Sequence, residues 1–198
     1  MKPFTKYLII GFIIFVNSSF KKIQCHDNNV SIFQDGKETV VNNNDEVLIR
    51  KNIFTVRFSN KAYNSSTEKF YAAQVAAFIE KSELQKIQVG METKDIPCFE
   101  PGSGMASNSF GYDELIFNNS GHHYLYYENK SDRRVNLISE KKGILRLEFP
   151  IEKFMINKAY FKISDLKLKQ FYLAIFIDNN LNAIIDDGEL TKLTIKFL

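Results

Sequence analysis

Cysteine, proline, glycine and histidine are all scarce in these 198 residues: two Cys, four Pro, nine Gly and three His. Two cysteines cannot build a disulfide-dense scaffold. So little Gly and Pro excludes collagen-like and low-complexity chains. With 44% hydrophobic residues, the chain is also too apolar for intrinsic disorder. Its length suits one domain of ordinary size with a substantial core.

The first apolar run has the form of a secretory signal. Lys2 and Lys6 make a short basic region, and Tyr7 to Val16 is an apolar stretch of ten residues. Ten helical residues span about 15 Å, half of the roughly 30 Å bilayer core, so a stable span is not expected. Ser18 and Ser19 are small enough for a signal peptidase, as in Val16-Asn17-Ser18. The expectation is a signal peptide over residues 1–19 and one domain over residues 20–198. A lipid-anchored Cys25 does not fit, because Gln24 stands where a lipobox needs a small residue. No membrane span is expected in the mature chain, which should be soluble and either secreted or periplasmic.

Removing the signal also removes most of the positive charge. The formal net charge is +3, and losing Lys2 and Lys6 leaves +1. That is no electrostatic footprint for nucleic acid or an anionic membrane. In an oxidising compartment Cys25 and Cys98 are the one possible intramolecular pair. The alternative places Cys25 in a frayed terminus and Cys98 in the core as a small hydrophobe.

The remaining pattern is strand-like. Val30 to Phe33, Asp35-Gly36 and Thr39 to Val41 read as a hairpin with an Asp-Gly turn. Asn42 to Asp45 reads as a loop, and Phe54, Val56 and Phe58 alternate with Thr55 and Arg57 as a half-buried strand. Residues 70–79 are apolar at every position but Gln74. Four alanines and the Ser65/Glu68 spacing argue for helix, whereas an apolar run on both faces suits a central strand, which is favoured. Ser82 and Gln85 stand at capping-box spacing before Ile87 and Gly90, predicting one short helix. Ile96 to Phe110 is expected to be a long loop. Strands then resume at 114–117, 123–127, 134–138, 144–149, 171–177 and 192–197. Eight to ten short strands and eighteen Phe predict an all-β fold, a single β-sandwich of jelly-roll-like or Ig-like type with one short helix.

The strongest motif is Asp178-Asn179-Asn180-Leu181-Asn182-Ala183-Ile184-Ile185-Asp186-Asp187-Gly188-Glu189. Side-chain oxygens stand at positions 1, 3, 5, 9 and 12, and Ile184 at position 7 offers its carbonyl. A hard cation needs six or seven oxygens gathered by one tight loop. These twelve residues resemble the EF-hand calcium loop, and are more closely similar to the Asp-x-Asn-x-Asn loops between strands in B-type repeats of bacterial surface proteins. The resemblance implies a structural calcium held by Asp178, Asn180, Asn182, Ile184, Asp186 and Glu189, with Ile185 turned into the core. Ala183 departs from the pattern, which has Gly at that sharp turn. The bland alternative is an Asn/Asp-rich hairpin loop that binds nothing.

Catalytic candidates are sparse. His122 and His123 are adjacent, and on a strand they point to opposite faces and cannot share one metal. With His26 they do not complete a zinc site of usual composition. Pro101-Gly102-Ser103-Gly104 is neither a nucleophile elbow nor a phosphate loop. That loop and the tyrosines Tyr124, Tyr126 and Tyr127 are where a ligand would be sought. The sequence thus points to a non-enzymatic binding or structural domain with a calcium-stabilised C-terminal hairpin and a protein or carbohydrate as its partner. The rival is an extracellular hydrolase using His122 or His123 with Glu148, Glu152 or Asp113, or with Ser103.

Overall fold

The computed structural model describes residues 29–61, 71–96, 98–99, 116–117, 124–126, 135–156 and 159–198. At 71–72, 116–117, 124–126 and 155 it describes the backbone alone. In chain order the first strands are β1 (Ser31–Gln34), β2 (Lys37–Val40), β3 (Asp45–Ile49), β4 (Phe54–Lys61) and β5 (Tyr71–Phe78). Helix α1 (Lys81–Lys86) comes next, then β6 (Ile116–Phe117), β7 (Tyr124–Tyr126), β8 (Asn136–Lys141) and β9 (Ile144–Ile151). The chain ends with β10 (Lys153–Ile156), β11 (Ala159–Lys162), β12 (Gln170–Phe176) and β13 (Leu190–Phe197).

Ten of these strands form two five-stranded sheets, β2-β1-β4-β9-β8 and β3-β13-β12-β5-β7; a small third sheet runs β11-β10-β6. The two large sheets face each other across one apolar layer. Val56, Phe58, Leu147 and Ile151 come from the first sheet, and Val75, Leu173, Ile175, Leu193 and Ile195 from the second. An all-β sandwich with one short helix is therefore the observed architecture.

Two hairpins show how local sequence sets register. Asp35 and Gly36 lie at φ 52° and 78°, and Lys142 and Gly143 at 53° and 73°. Each pair is flanked by a directly opposed strand pair, Gln34 with Lys37 and Lys141 with Ile144. Two successive positive φ values are those of a type I′ turn, whose twist matches that of the flanking strands. Along β4 and β9 the resulting alternation is regular, every second side chain lying in the core.

Three strands escaped the sequence reading: β3, β10 and β11. Asp45 and Glu46 prolong the polar cluster into β3, leaving only Val47 and Ile49 turned inward. Lysines stand at the ends of β10 and β11 at Lys153 and Lys162, and β11 is exposed throughout. The predicted capping box is also corrected. Helix α1 starts at Lys81 with Glu80 as its N-cap and no side-chain capping bond, so Ser82 lies inside the helix.

Residues 71–78 do form a strand, and the second sheet explains why it is apolar on both faces. Ala73, Val75 and Ala77 enter the inter-sheet core, whereas Ala76 and Phe78 join a second cluster on the outer face. That outer cluster includes Tyr172, Ala174 and Phe176 of β12 and is covered by Leu84, Ile87, Ile96 and Phe99. Cys98 is buried in this layer, while Cys25 lies outside the described residues, as do the signal segment and Ser65/Glu68.

Phe171 joins all three sheets. Its ring lies 6.1 Å from Phe54 of β4, 5.3 Å from Phe154 of β10 and 5.6 Å from Phe197 of β13, centroid to centroid. Truncating a fully buried phenylalanine loses transfer energy and leaves a cavity, about 3–5 kcal/mol together. Phe171→Ala is expected to lose that much in urea unfolding, with an unchanged denaturant slope.

Candidate functional site

The motif 178–189 is the connection between β12 and β13. Its base is closed by the Phe176–Leu190 pair and by the Ile177 N–H donating to the Glu189 carbonyl at 3.0 Å. The middle of the loop folds back onto the segment after α1. Gly90 N–H donates to the Ile185 carbonyl (2.8 Å), Ile185 N–H to the Met91 carbonyl (2.9 Å) and Thr93 N–H to the Ala183 carbonyl (2.9 Å). Ile185 is fully buried in the outer cluster, as the loop pattern anticipates.

Short polar side chains shape the turn by accepting backbone protons. Asp178 Oδ1 accepts from Asn182 N–H (3.3 Å) and Oδ2 from Ala183 N–H (2.9 Å). Asn180 Oδ1 accepts from Asn182 N–H at 3.1 Å, and Asn182 Oδ1 from Ile184 N–H at 2.8 Å. These are the local bonds that make Asn and Asp turn residues. Ala183 lies at φ 59°, so the position where the pattern has Gly does take the left-handed conformation. Leu181 shares that φ of 59°, which nothing in the sequence signalled. An L-residue pays about 1–2 kcal/mol for such geometry.

The two remaining carboxylates among the predicted ligands differ in setting. Asp186 Oδ2 accepts from Asn180 Nδ2 (2.7 Å) and Asn182 Nδ2 (2.8 Å). Glu189 is only 4% exposed and receives Asn179 N–H at 2.7 Å and Asp186 N–H at 3.1 Å. Burial nevertheless holds its carboxyl above the ordinary 4.5, outweighing those two bonds, and Asp178 and Asp186 push it the same way. Lys61, at the end of β4, lines a recess of about 200 Å³ together with Asn179, Asn180, Asp186 and Glu189. The sequence did not connect Lys61 with this loop, because only the packing of the two sheets brings it there.

All six predicted ligands thus lie on one loop. They fit an oxygen-ligated cation in kind: three carboxylates, two amides and one carbonyl, on a backbone turned at the expected residue. They are not drawn into a ready shell. Among the described residues no group of three or more His, Cys, Asp or Glu stands close enough to hold a metal. The Asn180 and Asn182 amides present NH₂ to Asp186, supplying partial positive charge that a cation would replace.

Of the rival catalytic set, His122, His123, Ser103 and Asp113 lie outside the described residues; so do His26 and, of the tyrosines where a ligand would be sought, Tyr127, while Tyr124 and Tyr126 are described by backbone only. Glu148 is on the outer face of the first sheet, its Oε2 3.2 Å from both Nε and Nη2 of Arg57. The Arg57 guanidinium stacks over Phe33 at 3.7 Å and reaches Glu38 at 3.3 Å. Glu38 also accepts from the Ser31 hydroxyl (2.6 Å) and Arg146 (2.6 Å). The Ser31 bond first, then Arg146 and Arg57, hold the Glu38 carboxyl below the ordinary 4.5. Glu148 is therefore a member of a charge lattice. Glu152 is exposed beside β10 and lines a different recess.

Glu38 and Glu189 titrate in opposite directions, with opposite consequences for stability. The Glu38 contribution is present above pH 4.5 and is lost as pH falls through its lowered pKa. Glu38→Gln is expected to destabilise the protein at about pH 7, the difference from wild type shrinking as the pH falls below 4.5 in urea unfolding. Charging Glu189 instead costs stability: the cost is absent below 4.5 and complete above its raised pKa. A carbon-detected NMR titration in ion-free solution should place its midpoint above 4.5.

No family model matches the chain, and no curated protein or solved structure matches it.

Proposed function

We propose that the chain is an exported, non-enzymatic binding or structural β-sandwich whose 178–189 loop takes up one calcium ion. Asp178, Asn180, Asn182, Asp186 and Glu189 would supply side-chain oxygen, directly or through water, and Ile184 its carbonyl. The observation that carries the reading is Glu189, a buried carboxylate facing two like charges, in a loop with a positive φ at the sharp-turn residue. A divalent cation offsets that repulsion, and hard oxygen donors select calcium over softer metals. The ion's role is structural. It would fasten the β12–β13 connection, and through the Ile185 and Ala183 bonds the segment at Gly90–Thr93, over the outer core. Export fits the motif, since extracellular calcium sites with dissociation constants of about 10⁻⁴–10⁻³ M are filled outside the cell.

The hydrolase reading has less support. Arg57 already engages Glu148, one of that reading's candidate acids.

Thermal unfolding in excess calcium and in excess chelator tests the proposal. At a hundredfold excess over the dissociation constant, an ion bound to the native state alone adds about 2.7 kcal/mol. The midpoint is expected to rise by several degrees in calcium, and the rise to vanish in Asp178→Ala. An identical midpoint in millimolar calcium and in chelator would reduce the loop to an ordinary polar turn.

A further inference from the structure

We infer that the Asn180 and Asn182 amides stand in for the cation in the ion-free loop, holding Asp186 so that the 178–189 turn keeps its fold without calcium. For calcium affinity this rests on the calcium reading above; for the ion-free loop it rests on hydrogen bonds alone. The three carboxylates among the predicted ligands are satisfied in two ways. Asp178 receives two backbone N–H groups, from Asn182 and Ala183, and Glu189 receives two, from Asn179 and Asp186. Asp186 depends on side chains instead. Its Oδ2 accepts from the amide of Asn180 at 2.7 Å and from that of Asn182 at 2.8 Å.

The orientation of both amides is fixed from their other end. Asn180 Oδ1 accepts from Asn182 N–H, and Asn182 Oδ1 from Ile184 N–H. With its oxygen on a backbone donor, each amide turns its NH₂ to the carboxylate. Hydrogen bonds to a charged acceptor are stronger than neutral ones, so two NH₂ groups on one oxygen do for Asp186 part of what an ion would do. Aspartate at 180 and 182 would keep the oxygens that accept the backbone bonds and exchange each NH₂ for a charged oxygen facing Asp186. Asparagine at these positions therefore sets two properties together. One is stability with the ion absent, and the other is affinity for the ion, which follows the charge count of the ligands. With asparagine the loop folds empty and binds calcium weakly; with aspartate its fold would depend on the ion.

Thermal unfolding of the full chain in chelator, with calorimetric titration of calcium chloride, tests this on the double variant Asn180→Asp, Asn182→Asp. In chelator the double variant is expected to melt at least about 4 °C below wild type, having exchanged two charge-assisted bonds for repulsion. Calcium should bind it about tenfold more tightly than wild type and restore its midpoint. Adding Asp186→Asn should recover most of the loss in chelator, because the new NH₂ then donates to the two new carboxylates. A double variant that melts with wild type in chelator overturns the inference. So does a loss that Asp186→Asn leaves in place, or a calcium affinity equal to that of wild type. Loss and recovery in chelator, with neither protein binding calcium, would uphold the role of the amides and overturn the calcium reading. A double variant that folds in calcium and not in chelator supports the inference; if it folds in neither, Asn180→Asp alone takes its place in the same comparison.

Discussion

The ring of Phe171 is the contact on which the architecture turns. Each of its aromatic neighbours belongs to a different sheet: Phe54 to the first, Phe154 to the small sheet, Phe197 to the second. Aromatic side chains bury large areas and interlock at preferred angles, so one residue can hold three layers in register. Around it the core is built mainly of β-branched and aliphatic residues alternating with exposed ones, the arrangement a sandwich requires.

A second constraint follows from the two-sided burial of the β3-β13-β12-β5-β7 sheet. Once Phe78, Tyr172 and Phe176 point away from the inter-sheet core, something must cover them. Helix α1, the segment to Phe99 and Ile185 do so, and this fixes where the 178–189 loop can lie. The loop is therefore part of the outer layer of the core, and its backbone is hydrogen-bonded to that of Gly90–Thr93.

Electrostatics divides the molecule in a parallel way. Glu38, on the outer face of the first sheet, is surrounded by a hydroxyl and two guanidinium groups, and its charge stabilises the fold. Glu189 is surrounded by carboxylates and buried, and its charge opposes the fold. The same side-chain type thus serves as mortar in one place and as an unmet demand for positive charge in the other.

Local patterning was enough to read much of this from the amino-acid order. The Asp35-Gly36 turn, the alternation of Phe54, Val56 and Phe58, and the doubly apolar run at residues 71–78 depend on φ preferences and on which faces are apolar. The left-handed turn at Ala183 and the burial of Ile185 were legible because one twelve-residue loop contains its own geometry. Other features were not. The strands β3, β10 and β11 carry charged residues at an end, β11 is exposed throughout, and Phe154 of β10 acquires its meaning only against Phe171. Ser82 had the spacing of a cap, yet the covering of the outer face starts the helix at Lys81. Lys61 beside the acidic loop, Arg57 on Glu148, and Lys153 opposite Lys162 are contacts between segments far apart in the chain or set by strand register. Sequence determined the short-range conformations, whose energies depend on neighbouring residues. Tertiary structure decided which charges meet, because Coulomb energies depend on separation and burial rather than on order along the chain.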